Sequence, residues 1–330
     1  MKSRISRRHL LVSSIGAALA SPSPALAQTW PARPVTMIVP FAAGGTTDII
    51  ARVVGDLLGQ KLGQTFIIEN RGGAGGAIGT DGVVRAAPDG YTLLHATAGT
   101  LTYNPHIVQK PGQGAQNPLA VLTPIGLTFA CDFVVIVRKG FPAETLQDFI
   151  AYAQARPGDV TFGSGGLGSG AHVCTELFMA QTGIKMRHVT YRGSGPALND
   201  LAAGQIDVIF DAMPSALGQI QGGTVKILAT TGPIRSSILP AVPTVMESGL
   251  KDYAVTAWGG LLGPKPTPPD VVRVVSDALA AILTRKDVMD RYLQIGAEAI
   301  TESPEQMARR IEVEFSLWGT IIDQAKIRAQ

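Results

Sequence analysis

The sequence predicts an α/β protein made of two β/α units, and three observations predict it. Short apolar, β-branched runs alternate with segments of helical period along most of the chain. Two glycine-rich loops each lie between a strand pattern and a helix pattern. Of 330 residues, 45% are hydrophobic and only 16% charged, with 38 glycines and 22 prolines. That composition excludes a disordered charged chain, a coiled coil and a collagen-like repeat. The length suits two ordinary domains.

The first 27 residues read as an address. Lys2, Arg4, Arg7 and Arg8 are basic, no acid accompanies them, and an apolar stretch leads to Ala25-Leu26-Ala27. This is the pattern of a cleavable export signal, with cleavage expected after Ala27. Ser6-Arg7-Arg8-His9-Leu10-Leu11 is similar to a twin-arginine motif, but Leu10 stands where that motif usually has Phe; ordinary unfolded export stays open. The leader carries four positive charges and no negative one, so its removal takes the formal charge from +3 to −1. The mature chain then has no basic field for nucleic acid, and no nucleic-acid partner is expected.

The mature chain opens with an apolar run at 35–40, followed by helical periodicity over 48–62 (Ile49, Ile50, Val53, Leu57, Leu58). A strand at 66–69, a helix opening at 72–79 and running through 87, and a strand at 91–96 complete a β–α–β–α–β order. This is the pattern of a parallel sheet covered by helices. The polar, Gly- and Pro-rich stretch 104–122 reads as a surface excursion. Strands are expected at 133–138, 160–164, 188–191, 206–211 and 225–230, and helices at 145–155, 171–182 and 196–203. Thr145 with Asp148 caps the first of these helices, and Gly204 ends the last. After Trp258-Gly259-Gly260 come two terminal helices, one from Thr267-Pro268-Pro269-Asp270. The other starts at the capping box Ser303-Pro304-Glu305-Gln306. Its stripe Met307, Ile311, Phe315, Trp318 and Ile322 is expected to pack on the parent domain.

Loop one is Pro40-Phe41-Ala42-Ala43-Gly44-Gly45-Thr46-Thr47-Asp48, and loop two runs from Gly163-Ser164 to Ser169-Gly170. Each places backbone N–H groups at a helix start, where amides and helix dipole favour an anion. Gly163, Gly165 and Gly168 satisfy a dinucleotide spacing, but no acid follows near 188–192, so no nucleotide cofactor is expected. Ser169 reads both as a helix cap and as a ligand contact, and His172 both as a buried and as a site-lining histidine. A secreted serine-type hydrolase using Ser169 and His172 is the alternative function, although no G-x-S-x-G is present. Asp48 suits the first turn of a helix. Asp211, an acid ending a buried strand, suits a ligand amine, hydroxyl or water. Five scattered histidines and two cysteines, Cys131 and Cys174, predict no metal site. The cysteines can be read as buried and apolar or as a disulfide pair.

Taken together, several stretches resemble the extracytoplasmic solute receptors of the tripartite tricarboxylate transporter family, also called the Bug family. They are Trp30-Pro31-Ala32-Arg33-Pro34, Ile38-Val39-Pro40-Phe41 with Gly44-Gly45 and Asp48, Asn70-Arg71-Gly72-Gly73-Ala74-Gly75-Gly76, and Pro88-Asp89-Gly90-Tyr91-Thr92-Leu93-Leu94. Loop two with His172, His188-Val189-Thr190-Tyr191-Arg192-Gly193, Val242-Pro243-Thr244 and Trp258-Gly259-Gly260 continue the likeness. The resemblance implies a type II periplasmic-binding-protein fold that closes like a flytrap. Lobe one would comprise 28–128 plus 257–330 and lobe two 129–256. It implies a small carboxylate ligand, no enzymatic activity, a monomer in the periplasm, and permease subunits as membrane partners. Carried to this chain, the ligand residues are Phe41, Gly44, Gly45, Thr46, Thr47 and Asp48, then Ala98 and Thr100, then Gly163, Ser164, Ser169, His172 and Asp211. Ala42 and Ala43 depart from the family's prolines, and 110–122 lacks its aspartate-rich pattern.

Overall fold

The computed structural model describes residues 30–108 and 114–328. The export segment expected at 1–27 lies outside the described residues. Among the described residues no helix is long and apolar enough to cross a membrane.

The first unit follows the expected order. Strand β1 (Val35–Val39) leads to helix α1 (Thr46–Leu62), strand β2 (Phe66–Asn70), helix α2 (Ala77–Val84) and strand β3 (Thr92–Thr97). β1 pairs in parallel with both β2 and β3. α1 buries Ile50, Val53, Val54, Leu57 and Leu58 on one face and stops at Gly63, whose φ is 72°. The helix expected from residue 72 starts later. Gly75 and Gly76 take φ of 63° and 100°, so only a 3-10 turn, Ala74–Gly76, forms there before α2 begins.

The stretch read as an excursion is partly interior. A π-helical turn, Gly99–Tyr103, runs into the short helix α3 (Asn104–Ile107). Tyr103, Asn104 and Ile107 are buried. Strand β4 (Leu122–Arg138) then runs for 17 residues, well upstream of the expected start at 133. Pro124 and Gly126 obscure its first half. Both sit at register shifts in the ladder, the bulges where such residues are tolerated in a sheet interior.

The second unit comprises α4 (Leu146–Ala155), β5 (Thr161–Ser164), α5 (Gly170–Thr182), β6 (Arg187–Thr190), α6 (Ser194–Ala202), β7 (Val208–Ala212), α7 (Met213–Gln221) and β8 (Val225–Thr230). The Thr145–Asp148 capping box forms as expected. α7 is an addition to the expected order, opened by Pro214 in its first turn. β5 pairs in parallel with β6 and β7, while β4 runs antiparallel to β7 and β8.

Strand β9 (Thr256–Pro264) lies antiparallel to β4, from Asp132 opposite Thr256 to Leu122 opposite Pro264. β3 flanks β9 on its other side. The two units therefore share one sheet, in the order β2-β1-β3-β9-β4-β7-β5-β6, with β8 on β4. β4 changes partner between Asp132, paired with β9, and Phe133, paired with β7.

Three helices follow where two were expected: α8 (Pro269–Leu283), α9 (Lys286–Gln294) and α10 (Pro304–Gln324). α10 starts at the Ser303 capping box and buries Met307, Ile311, Trp318 and Ile322. Phe315, the fifth member of the expected stripe, is half-buried and packs on the His106 ring at 4.2 Å. Trp318 lies 4.4 Å from the ring of Tyr103, so α10 braces the turn Gly99–Tyr103 from behind. Replacing Trp318 by Ala is expected to destabilise the protein by about 3–5 kcal/mol, as for other large buried aromatics. Urea unfolding followed by circular dichroism checks this.

Candidate functional site

One cavity, enclosing about 60 Å³, lies where the two units face each other. Four helices present their amino ends around it. Gly45, Thr46 and Thr47 belong to the start of α1, Gly170 and Ala171 to α5, Ser194 to α6, and Ala212 precedes α7. The first N–H groups of each helix have no acceptor within the helix. Gly45, Gly193 and Ala212 stand at the N-cap of α1, α6 and α7 without a side-chain cap bond. Ser169 caps α5, its Oγ accepting the His172 N–H at 3.3 Å, which still leaves the first amides of that helix. Phe41, Tyr103, Phe129, Phe133 and Trp258 give the wall its aromatic part, and Thr97, Gly99, Gly165 and Asp211 belong to the lining as well. Among the described residues no Lys, Arg or His side chain lines the cavity. Aligned amides and helix dipoles are thus the source of positive potential.

Of the residues expected to bind ligand, Phe41, Gly45, Thr46, Thr47, Ala98, Ser169 and Asp211 line the cavity. Gly44, Asp48, Thr100, Gly163, Ser164 and His172 lie outside that lining, all but the exposed Gly44 buried. The Gly44 N–H donates to Asp48 Oδ2 at 3.0 Å, and the same carboxylate accepts Asn70 Nδ2 at 3.0 Å and Arg52 Nη2 at 2.9 Å. Asn70 also donates to Phe41 O at 3.1 Å. Asp48 therefore ties both ends of loop one to α1 and β2. Burial alone would raise its pKa, but the bonds from Arg52, Gly44 and Asn70 together hold it below the usual carboxylate range. Thr100 closes its own turn, its hydroxyl donating to Thr97 O at 2.8 Å. Gly163 lies inside β5, where a Cβ would stand 2.5 Å from Ile206 Cδ1.

Beneath loop two, three rings stack in sequence. Phe162 and His188 lie 4.5 Å apart, and His188 and His172 lie 4.6 Å apart. His188 Nε2 meets Ser164 Oγ at 2.6 Å, and His172 Nδ1 accepts the Gly168 N–H at 3.2 Å. Burial pushes His172 down to about 3, with help from neighbouring His188, and burial pushes His188 down to about 4. Both are neutral at pH 7 and act as rigid packing for the loop. Ser169 Oγ contacts the backbone N–H of His172 and not its imidazole. The two side chains form no nucleophile–base pair, so the hydrolase alternative loses its chemistry. Cys131 and Cys174 are both buried and unpaired, so no disulfide joins them.

Asp211 is 2% exposed. Its Oδ1 accepts Ser194 Oγ at 2.6 Å and its Oδ2 accepts Ser215 Oγ at 2.5 Å. Burial raises its pKa despite these bonds. Ser215 Oγ lies 3.0 Å from Thr46 Oγ1, which in turn accepts the Ser215 N–H at 3.2 Å. This connects α7 to α1 across the cleft. Two further contacts cross it. Asn104 Nδ2 lies 3.1 Å from Ala74 O and 2.9 Å from Leu167 O, and the Ala42 N–H donates to Arg192 O at 2.9 Å. A Cβ on Gly75 would fall 1.9 Å from Leu167 O. Sequence reasoning missed Ser194, Ser215 and Asn104. The Met213-Pro214-Ser215 start of α7 was a usable signal for one of them; Asn104 had none, because its partners are distant in the chain.

Residues 50–327 match the family described as tripartite tricarboxylate transporter family receptor. The chain belongs to this receptor family. BugT of Bordetella pertussis is 35% identical over 305 residues, which span 91% of each chain. An R. palustris protein solved with adipate superposes with a TM-score of 0.87 at 34% identity, covering 91% of this chain and 100% of that one. MatC of Rhodopseudomonas palustris, solved with bound malate, superposes at 0.83 with 32% identity, covering 88% of this chain and 99% of that one. The type II binding-protein fold expected from the sequence is the fold of these receptors.

The depressed Asp48 pKa gives a signed prediction for this receptor. A carboxylate whose folded pKa lies below its unfolded value of about 3.9 stabilises the protein above that pH, and the contribution fades as pH falls through the folded value. Asp48→Asn is expected to be less stable than wild type at pH 6, with the gap narrowing towards pH 3. Urea midpoints at both pH values check this.

Proposed function

We propose that the protein is a non-catalytic periplasmic receptor that captures a small carboxylate between two lobes and presents the closed complex to the permease subunits of a tripartite transporter. The observation that carries this reading is the meeting of four helix amino ends in a cavity without a cationic side chain. Such a site selects an anion small enough to be ringed by amides. The adipate and malate seen in the R. palustris receptors support a carboxylate as that anion.

Lobe one is read as 28–128 plus 257–330 and lobe two as 129–256. The partner change of β4 at Asp132 and Phe133, with β9 beside it, supports a hinge in these two strands. Closure then follows from population shift. A ligand that touches both lobes favours the closed arrangement by its extra contacts. Asn104, Thr46 and Ala42 supply the direct cross-cleft bonds of that arrangement, and a monomer suffices for all of them.

Export rests on the basic leader and its Ala25-Leu26-Ala27 ending. Intact mass spectrometry of the periplasmic fraction is expected to find a chain starting at Gln28; a full-length mass there refutes cleavage at this site.

Binding is tested by thermal shift with a panel of carboxylates and their uncharged amides. A ligand at a hundred times its Kd stabilises by about 2.7 kcal/mol. Acids are expected to raise the melting temperature and amides are not; equal shifts for both would remove the anion site from the reading. Gly75→Ala places a methyl against Leu167 O without entering the cavity. It is expected to raise Kd at least tenfold in a titration read from Trp258 fluorescence, about 1.4 kcal/mol.

A further inference from the structure

The buried stripe of α10 is Met307, Ile311, Trp318 and Ile322. Helical spacing puts one acid among these residues. Glu314 follows Ile311 by three positions and precedes Trp318 by four, on the face where an apolar side chain is expected. Its side chain is only 20% exposed. A carboxylate in such a place needs partners to replace its water. Two partners do so. The Trp258 indole N–H is shared by both Glu314 oxygens, at 2.9 and 2.8 Å. Arg310 Nη1 stands 3.4 Å from Glu314 Oε1. Arg310 is itself clamped by Glu302, its Nε lying 3.1 and 3.0 Å from the two carboxylate oxygens.

Trp258 links this acid to the cleft. It is buried and forms part of the cavity wall, whereas Glu302, Arg310 and Glu314 lie outside the lining. On β9 it stands opposite Ala130 of β4, two residues short of Asp132, where β4 gives up β9 for β7. The Arg310 guanidinium also lies over the indole, 5.8 Å from the ring centre and within cation–π reach. The second side-chain torsion of tryptophan has a broad minimum, so packing alone leaves the ring room to turn. A buried indole N–H needs an acceptor. With Glu314 in place that acceptor is outside the cavity, and the cavity meets the ring and not its donor. Without Glu314 the N–H would be buried and unpaired, a cost that favours turning the ring towards any acceptor within the cleft.

Building on the carboxylate-receptor reading, we propose that Glu314 is a positioning residue for ligand capture and acts through Trp258: it holds the indole N–H outside the cavity and so fixes the ring as part of the wall. Arg310, gripped by Glu302, keeps Glu314 aimed at the indole. The last helix thus sets a surface of the cleft through a bond that no ligand touches.

Nitrogen–proton correlation spectra of the protein read the indole N–H groups directly. Trp30, Trp258 and Trp318 are its three tryptophans, and Trp258→Phe assigns one signal by its loss. In Glu314→Leu the Trp258 signal is expected to move and to exchange faster with solvent, with the Trp30 signal as the unmoved control. In Glu314→Gln, whose amide oxygen still accepts a hydrogen bond, it is expected to shift but to stay slow in exchange. An unchanged Trp258 signal in Glu314→Leu overturns the proposal; should that variant fail to fold, an unmoved signal in Glu314→Gln does so. Calorimetric titration with adipate and with malate reads the consequence. For an acid that binds the wild type, Glu314→Leu is expected to raise Kd about tenfold and Glu314→Gln to keep it within about twofold. In Trp258→Phe, which keeps a ring in the wall but has no N–H, adding Glu314→Leu is expected to leave Kd unaltered. Urea midpoints that fall while Kd stays constant overturn the proposal, since Glu314 would then serve stability alone. An equal loss of affinity with and without the Trp258 indole also overturns it. If neither acid binds the wild type, the carboxylate-receptor reading fails for these probes, and the spectra alone decide whether Glu314 holds Trp258.

Discussion

A helix leaves its first N–H groups without internal acceptors, and proteins usually cover this deficit with side-chain caps or water. Here α1, α6 and α7 start at Gly45, Gly193 and Ala212, which offer no side-chain cap. These amino ends are gathered at one place, with Thr46 Oγ1 covering the Ser215 N–H of α7, and the rest of the cleft follows from keeping them there. Glycine in the loops lets the backbone come close. Asp48 and Asn70 hold loop one from behind, and the Phe162, His188 and His172 stack supports loop two. Charged groups near the site are either turned away from it or, in the case of Asp211, bonded by hydroxyls. Potential that comes from fixed dipoles depends on position, so rigidity of the supports matters more than net charge.

The same preference for backbone over side chain governs how the two units meet. Gly75 approaches Leu167 O, Gly99 approaches Gly170, and Gly193 approaches Ala42, in each case closer than a Cβ would allow. Hydrogen bonds from Asn104 and Ala42 complete the seam. Within the β4–β9 ladder, Gly260 lies against Gly126 O and Gly259 against Phe129. Small residues there let β4 and β9 pair at close range, with bulges in the ladder near Pro124 and Leu127.

Much of this was legible in the chain. Strands such as β1 and β8 are short apolar runs between turn residues, α1 carries helical periodicity, and α4 and α10 carry capping boxes. The glycine loops were recognisable because each lies between such elements. Three parts were hidden for identifiable reasons. The first half of β4 contains a proline and a glycine that read as breakers, and only the bulged ladder accommodates them. α7 and α9 are nine-residue helices squeezed between elements that were easier to see. Asn104 bonds to Ala74 O and Leu167 O, both distant from it in the chain, so no local pattern marks it. Within the site, sequence proximity placed Asp48, Thr100 and His172 in the right loops but could not say which way their side chains face. The structure turns all three inward as supports.

The brace formed by α10 has a bearing on the order of synthesis. The turn that carries Ala98 and Gly99 into the cavity rests on Trp318 and Phe315 through Tyr103 and His106. These partners are synthesised after every loop of the cleft. A nascent chain that already holds those loops still lacks the wedge that sets one of its walls, so that wall takes its place only once α10 has been made.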